Sequence, residues 1–361
     1  MDQVKVAVLG FGGMGKWHAE KQLTIPEVVN IGVFDILEER NALAREAGFR
    51  VYGSFDEMLA DGELELVIVA TPNETHKPLA IALMDAGKNV ISEKPVALDL
   101  AELEDMIAAA NRNSVFFAVH QNRRWDEDYL VVKKIISDDM LGNAFRAESR
   151  VHGSRGIPGD WRNRKECGGG MVLDWGVHLL DQMLMLRDVK LVSVYAQLSY
   201  VTNENVDDGC RIELEYADGF RSLVEVGTSN FISLPRWYVT GENGTAIVED
   251  WALNGKITMI SDWETRDKVS MISDWTKADA APIVTAAGIT KTMAPRLPEM
   301  IKEYPLPGVE SDVRDYYRNA VDVIRNGAEP VVTHAQMLRT MTLIEAVFDS
   351  AKLNCVIHKT I

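Results

Sequence analysis

The chain has 361 residues, 47% of them hydrophobic and 25% charged, with a net charge of −16. That length suits two domains rather than one core, and that charge argues against nucleic acid or an anionic membrane as a partner, since both require concentrated Lys and Arg. No stretch reaches about 18 apolar residues, no basic, apolar leader opens the chain, and Cys167, Cys210 and Cys355 are widely spaced without a CxxC, so the reading is a reduced, cytoplasmic protein with no membrane span, disulfide framework or zinc site.

Val4–Leu9 reads as a strand covered on both faces, broken only by Lys5. Gly10-Phe11-Gly12-Gly13-Met14-Gly15 follows as GxGxxG, and 16–23 reads as a helix. Strand, glycine turn and helix in that order are the context of a dinucleotide fingerprint: a tight turn, close backbone approach to a pyrophosphate, and free N–H groups at the helix start. The next strand, Val28–Phe34, ends at Asp35, twenty residues after Gly15, where a carboxylate accepts the ribose hydroxyls of NAD and repels the 2′-phosphate of NADP. Asp35 is also placed to cap the 38–47 helix, and Arg40 lies one turn into that helix.

Strands over 65–70, 88–92 and 115–119 alternate with helices over 74–86 and 99–112, the rhythm of a doubly wound parallel sheet. Thr71 or Asn73 is expected to cap the 74–86 helix. Ligands in such sheets sit beyond the carboxyl ends of the strands. There fall the glycine turn, Asp35, Thr71-Pro72-Asn73 with His76 just beyond, Glu93-Lys94-Pro95, and His120-Gln121-Asn122-Arg123. Taken alone, Lys94 reads as a solvated surface lysine; beside a dinucleotide fingerprint, its ammonium is expected to point into the cleft.

A helix over 125–137 leaves this unit. Strands then fall at 144–151, 191–201, 210–216, 222–228, 237–240, 245–249 and 256–260, divided by turns such as Ala217-Asp218-Gly219 and Glu242-Asn243-Gly244. Met259-Ile260-Ser261-Asp262-Trp263 recurs as Met271-Ile272-Ser273-Asp274-Trp275, which reads as neighbouring strands or a hairpin; 278–307 reads as irregular. Helices close the chain at 311–326, started by Ser311, and at 333–352, with Thr333 and Gln336 as a capping box.

Between the first two of these strands lies the stretch with the most chemistry. Gly168-Gly169-Gly170 opens an apolar helix running to Leu186, yet it carries Asp174 and His178 four residues apart, on one α-helical face, with Asp181 and Gln182 a turn further. A buried carboxylate requires a partner. The helix alone leaves open a structural Asp–His pair or one that moves a proton.

Together, Gly10–Gly15, Glu93-Lys94-Pro95 and Gly168-Gly169-Gly170…Asp174…His178 resemble the Gfo/Idh/MocA oxidoreductases along essentially the whole chain. His120-Gln121-Asn122-Arg123-Arg124-Trp125-Asp126 and Trp161-Arg162 resemble scyllo-inositol dehydrogenase-like members and related sugar dehydrogenases. The resemblance implies a Rossmann domain over 1–122. It also implies a C-terminal α/β domain over 123–361, built on a large, open, mostly antiparallel sheet whose outer face joins a homo-oligomer (dimer, tetramer or hexamer). It implies NAD(P)-dependent oxidation of a sugar, glycoside or cyclitol, including oxidation of glucosides to 3-keto products. Those inositol-active relatives generally use NADP, whereas Asp35 argues for NAD.

The mechanism expected is hydride transfer to NAD from a ring secondary hydroxyl. His178 takes the proton, Lys94 favours the partly ionised oxygen, and Asp174 orients the substrate and holds the Lys94–His178 geometry. Arg123, Trp161, Arg162 and Trp237 are the expected sugar contacts. Three rivals remain: an NAD-using glycosidase acting by transient C3 oxidation and elimination, a redox-dead NAD sensor, and a metal enzyme on Asp174, His178 and Asp181. The first differs from an inositol 2-dehydrogenase or sugar dehydrogenase in recycling NADH; the sensor is disfavoured because both Lys94 and His178 are present; the metal enzyme is disfavoured because no second His or Cys cluster joins those three.

Overall fold

The computed structural model describes residues 3–261, 296 and 298–361. Val4–Leu9 (β1), Val28–Phe34 (β2), Leu66–Val69 (β3), Asn89–Ser92 (β4) and Phe117–Val119 (β5) form one parallel sheet in the order β2-β1-β3-β4-β5. The order reverses between β1 and β3, so the carboxyl ends of those two strands frame the crevice where such sheets bind ligands. All four residues of β3 are buried, as a run of Leu, Val and Ile between helical layers requires. The crossovers carry Gly13–Gln22 (α1), Glu38–Glu46 (α2), the short Phe55–Ala60 (α3), His76–Asp85 (α4) and Leu100–Asn113 (α5).

Glu127–Ser137 (α6) leads to a second, nine-stranded sheet. Its strands are Ala144–His152 (β6), Leu191–Ser199 (β7), Gly209–Tyr216 (β8), Arg221–Gly227 (β9), Trp237–Gly241 (β10), Gly244–Val248 (β11), Gly255–Ile260 (β12), Ile301–Tyr304 (β13) and Ile357–His358 (β14). They run β13-β12-β11-β10-β6-β9-β8-β7-β14, antiparallel except for the β6–β9 pair. Val177–Leu186 (α7) and His334–Leu353 (α9) pack on this sheet, and α9 also reaches α5 and β5 of the first. Arg325 of Arg314–Asn326 (α8) joins Glu65 across 260 residues at 2.6 Å. The C-terminal helices thus clamp the two sheets together.

Several local expectations shift. β13 lies within the stretch read as irregular and pairs with β12. The second copy of the Met-Ile-Ser-Asp-Trp echo lies outside the described residues. The 311–326 helix starts at Arg314, because Ser311 donates instead to the Trp125 carbonyl and Asp312 accepts from the Arg314 amide at 3.0 Å, a local turn that competes with helix. Gly327, at φ +66°, ends it. The Thr333–Gln336 capping box forms as read. Asp35 caps no helix: Leu37 holds that position, and α4 starts after a 3-10 turn with no side-chain cap from Thr71 or Asn73.

Candidate active site

The glycine turn leaves β1 under tight steric limits. A Cβ on Gly10, at φ +94°, would lie 2.6 Å from the Ala70 carbonyl oxygen, and one on Gly15 would lie 1.8 Å from the Gly10 oxygen. Gly13 faces open space, Met14 is exposed, and Gly12 precedes α1 as its N-cap, with no side-chain cap and no acidic residue in the first turn. The first-turn amides are thereby left for an anionic ligand, which fits a pyrophosphate. Asp35 is buried beside this turn, accepting from the Phe11 amide at 2.7 Å and the Leu37 amide at 2.9 Å. Arg40 comes within 3.4 Å of Asp35, and a Cβ on Gly12 would lie 3.4 Å from its guanidinium. A cation therefore stands at the ribose end of the crevice.

Thr71 and Pro72 line the end of β3, where the Thr71 hydroxyl accepts from Thr75 at 2.7 Å. Asn73 is buried and donates to the Cys167 carbonyl at 3.0 Å, tying the first unit to the Gly168 turn. His76, expected at the cofactor, is fully buried: its nitrogens bond the Thr71 and Pro95 carbonyls at 2.9 Å each. It braces two loops of the crevice from behind and presents nothing to a ligand.

Glu93 and Lys94 turn opposite ways. Glu93 Oε1 accepts from His18 at 2.8 Å and His120 at 2.7 Å, Oε2 accepts from the Lys94 amide at 3.2 Å, and the Tyr317 hydroxyl reaches the other side of His18 at 2.5 Å. Burial pushes the Glu93 carboxyl up, yet the two imidazoles outweigh it and hold it well below the usual carboxylate range. Glu93 is thus spent inside the protein rather than on the cofactor. Among the described residues its cluster is the group of imidazole and carboxylate atoms close enough for a metal, and those atoms are already bonded to one another.

Lys94 reaches the cleft, with 14% of its side chain exposed. Its Nζ donates to Asp174 Oδ1 at 2.9 Å and to the Asp174 carbonyl at 3.1 Å. The other oxygen, Oδ2, accepts from Arg162 Nε at 2.9 Å. Burial pushes Asp174 up, but Lys94 and Arg162 overcome it and keep the carboxyl below its ordinary value. The Asp–His pair read from helical spacing does not form. Val172–Gly176 is a π-turn, which breaks the 3.6-residue period and gives Asp174 to the two cations. Asp207 holds the start of this turn, accepting from the Val172 amide at 2.8 Å, and Gly170 (φ +104°) makes room for that carboxylate.

His178, in the first turn of α7, is buried with no partner at Nδ1. Burial, then the charges of Lys94 and Arg123, hold its pKa well below that of a free imidazole. It is therefore neutral at physiological pH and able to accept a proton. Asp181 is committed to Arg124 at 2.7 Å through both oxygens, and Gln182 donates to the Arg123 carbonyl at 2.6 Å, so the polar stripe beyond His178 is structural.

Trp161 lies under the Arg162 guanidinium at 4.5 Å, beside Asp174. Arg123 stacks on Trp175 at 4.5 Å and bonds Asp126 at 3.1 Å. Gln121 is buried with its Oε1 unpartnered, as are Arg123 Nε, His120 Nε2 and Gln182 Oε1. Trp237 is not at the site: it is wholly buried, stacks with Tyr129 and donates to Asp128 at 2.8 Å. A tryptophan on an inward-facing strand position goes to the core. The sequence reading missed His18, Tyr317, Trp175 and Trp251. Trp175 was signalled by its place beside Asp174, and Trp251 by its place in a polar turn; the other two gave no local signal.

A parallel sheet with a glycine turn that leaves helix amides free, set against a lysine, a carboxylate and a neutral imidazole, defines the class as a nucleotide-dependent oxidoreductase. The comparisons carry this to a family. Residues 4–121 match the model of the oxidoreductase family, NAD-binding Rossmann fold, and residues 129–247 match the GFO/IDH/MocA C-terminal domain. An NAD-binding protein from Listeria innocua superposes with a TM-score of 0.86 at 40% identity over 99% of this chain and 97% of its own. The scyllo-inositol 2-dehydrogenase (NADP(+)) of Bacillus subtilis is 25% identical over 354 residues, 98% of this chain and 95% of that protein. The myo-inositol 2-dehydrogenase of Thermotoga maritima is 25% identical over 205 residues, 56% of this chain and 60% of its own length. The chain belongs to the Gfo/Idh/MocA family of NAD(P)-dependent oxidoreductases. No described helix is long and apolar enough to cross a membrane.

Proposed function

We propose that the chain oxidises a ring secondary hydroxyl of a sugar, glycoside or cyclitol, and reduces the corresponding ketone, with NAD as the preferred nucleotide. The observation that carries this reading is the pairing of Lys94 with Asp174 at 2.9 Å, together with His178, buried on the following turn with no partner at Nδ1. A dinucleotide with its pyrophosphate held by the glycine turn would supply the acceptor for the hydride of the carbinol carbon. His178 takes the hydroxyl proton, Lys94 stabilises negative charge on that oxygen, and Asp174 holds the Lys94 ammonium and accepts from a neighbouring hydroxyl. Arg162, bonded to Asp174, and Trp161, stacked under Arg162, are the proposed ring contacts. Asp35 favours NAD, and Arg40 at 3.4 Å keeps NADP within reach. The open face of the nine-stranded sheet is the surface proposed for assembly into a homo-oligomer.

The test is a panel of myo- and scyllo-inositol, aldoses and their glycosides with NAD or NADP, reading the absorbance of the reduced nucleotide. Turnover of at least one polyol, with the ketone identified by mass, is expected. Absence of reduction across the panel, with nucleotide binding intact, overturns the reading.

A further inference from the structure

One wall of the cleft continues past the residues used above. The Trp175 ring lies 6.0 Å from the His178 ring, and the Trp251 ring lies 5.9 Å from Trp175. Arg123 sits between the two indoles, its guanidinium carbon 4.5 Å from one ring centre and 5.6 Å from the other. Arg236, buried and paired with Asp128 at 2.9 Å, supports Trp251 at 4.6 Å. Trp251 is nevertheless 50% exposed, although it is held by two guanidinium groups.

We propose that Trp251 and Trp175, with Arg123 between them, form a second stacking subsite that takes the outer ring or aryl group of a glycoside whose first ring lies at His178. The inference rests on the function proposed above and narrows its substrate to molecules larger than one ring. The two indoles are inclined at 47°, so one flat ring stacks on either but not on both. A ring set against Trp175 with its hydroxyl at His178 leaves Trp251 uncovered. An indole backed by a cation presents its free face to sugar C–H groups or an aryl ring. Arg123 supplies directed polarity: its guanidinium, on a side chain 32% exposed, lies between the two rings, where a glycosidic oxygen or an adjacent hydroxyl can accept from it.

The experiment compares matched pairs in the wild-type protein and in Trp251→Ala and Trp251→Phe. Methyl and phenyl glycosides of glucose, galactose, mannose and xylose are paired, as are glucose and cellobiose, with the inositols as single-ring references. The reading is the ratio of kcat/KM within each pair. Wild type should favour the larger member of a productive pair by about ten-fold, through KM. Trp251→Ala should bring that ratio close to unity, and Trp251→Phe should retain most of it. Single-ring turnover with no preference in wild type, or a preference that survives Trp251→Ala, overturns the subsite and leaves the proposed function standing. Failure of wild type to oxidise any member overturns both.

Discussion

Glu93 and Lys94 are adjacent in the chain, yet each centres a different charge cluster. Glu93 lies between His18 and His120, both wholly buried, with Tyr317 behind. Lys94 meets Asp174 and, through it, Arg162, at the edge of the cleft. Both clusters set a carboxylate between two nitrogen-bearing side chains. In the first, the carboxylate oxygens and both His18 nitrogens are engaged, His120 leaves only Nε2 unpartnered, and no solvent reaches either imidazole. In the second, the ammonium and guanidinium keep spare donors, and His178 beside them keeps a free nitrogen. A closed cluster of this kind contributes rigidity, and an open one contributes chemistry.

The sharpest way to break this comparison is to remove the open groups. Lys94→Ala and His178→Ala should each lower kcat by about 10³-fold while nucleotide binding, followed by fluorescence titration, is retained. Near wild-type rates in both would show that the cleft works through other residues. The closed cluster should respond in the opposite currency. Glu93→Ala should cost about 3–5 kcal/mol of stability, because it strands two buried imidazoles, whereas Asp174→Asn should lower turnover with little change in melting temperature. Equal thermal losses in the two variants would erase the distinction.

The pH dependence separates the regions further. His18, His76 and His178 are all held below the ordinary imidazole pKa, each first by burial. The unfolded chain therefore binds more protons than the folded one below about pH 6.5, and stability should fall by about 1.4 kcal/mol per pH unit for each such histidine as pH drops through that range. Their contribution is fully present above pH 6.5. Denaturant titrations at pH 7.5 and 5.5 measure the net of this loss and the opposite effect of Asp207, whose carboxyl is pushed up to about 7 by burial, so that it binds its proton in the folded state first. The acid limb of kcat/KM should lie below pH 6.5, since His178 stays neutral until then.

Smaller effects sharpen the picture. Asp35→Ser should raise the NADP/NAD preference by about ten-fold, because Arg40 is already in place and the repelling carboxylate is gone; an unchanged ratio would remove Asp35 as the reader. Trp237→Phe should cost about 1–3 kcal/mol through loss of the bond to Asp128 and leave KM within about two-fold of wild type. A large KM change would return Trp237 to the site.

Much of this was legible in the chain. Strands of Val, Ile and Leu, glycines at fixed offsets and the Thr333–Gln336 box act over a few residues, where side-chain period and backbone freedom decide the outcome. Lys94 and Asp174, 80 residues apart, stand out for different reasons: Lys94 lies at a strand end beside a dinucleotide fingerprint, and Asp174 is a carboxylate in an otherwise apolar helix. Trp237 was misread because aromatic character alone does not distinguish a core position from a binding face, and His76 because a polar residue at a strand end can brace a loop as readily as line it.

The sequence by itself determined the parallel sheet and the nucleotide turn, since these follow from local periodicity and steric limits, while the expectation that Lys94, Asp174 and His178 share one crevice came from the family resemblance. Only the tertiary structure decided how those groups pair. The π-turn took Asp174 from His178 and gave it to Lys94 and Arg162. Sheet order brought His18 to Glu93 across 75 residues, and the returning C-terminal helices brought Tyr317 to His18 across 299. Packing likewise set Trp251 beside Trp175. Such pairings have no local signature, because they are selected by the requirement that every buried charge find a partner once the layers have closed.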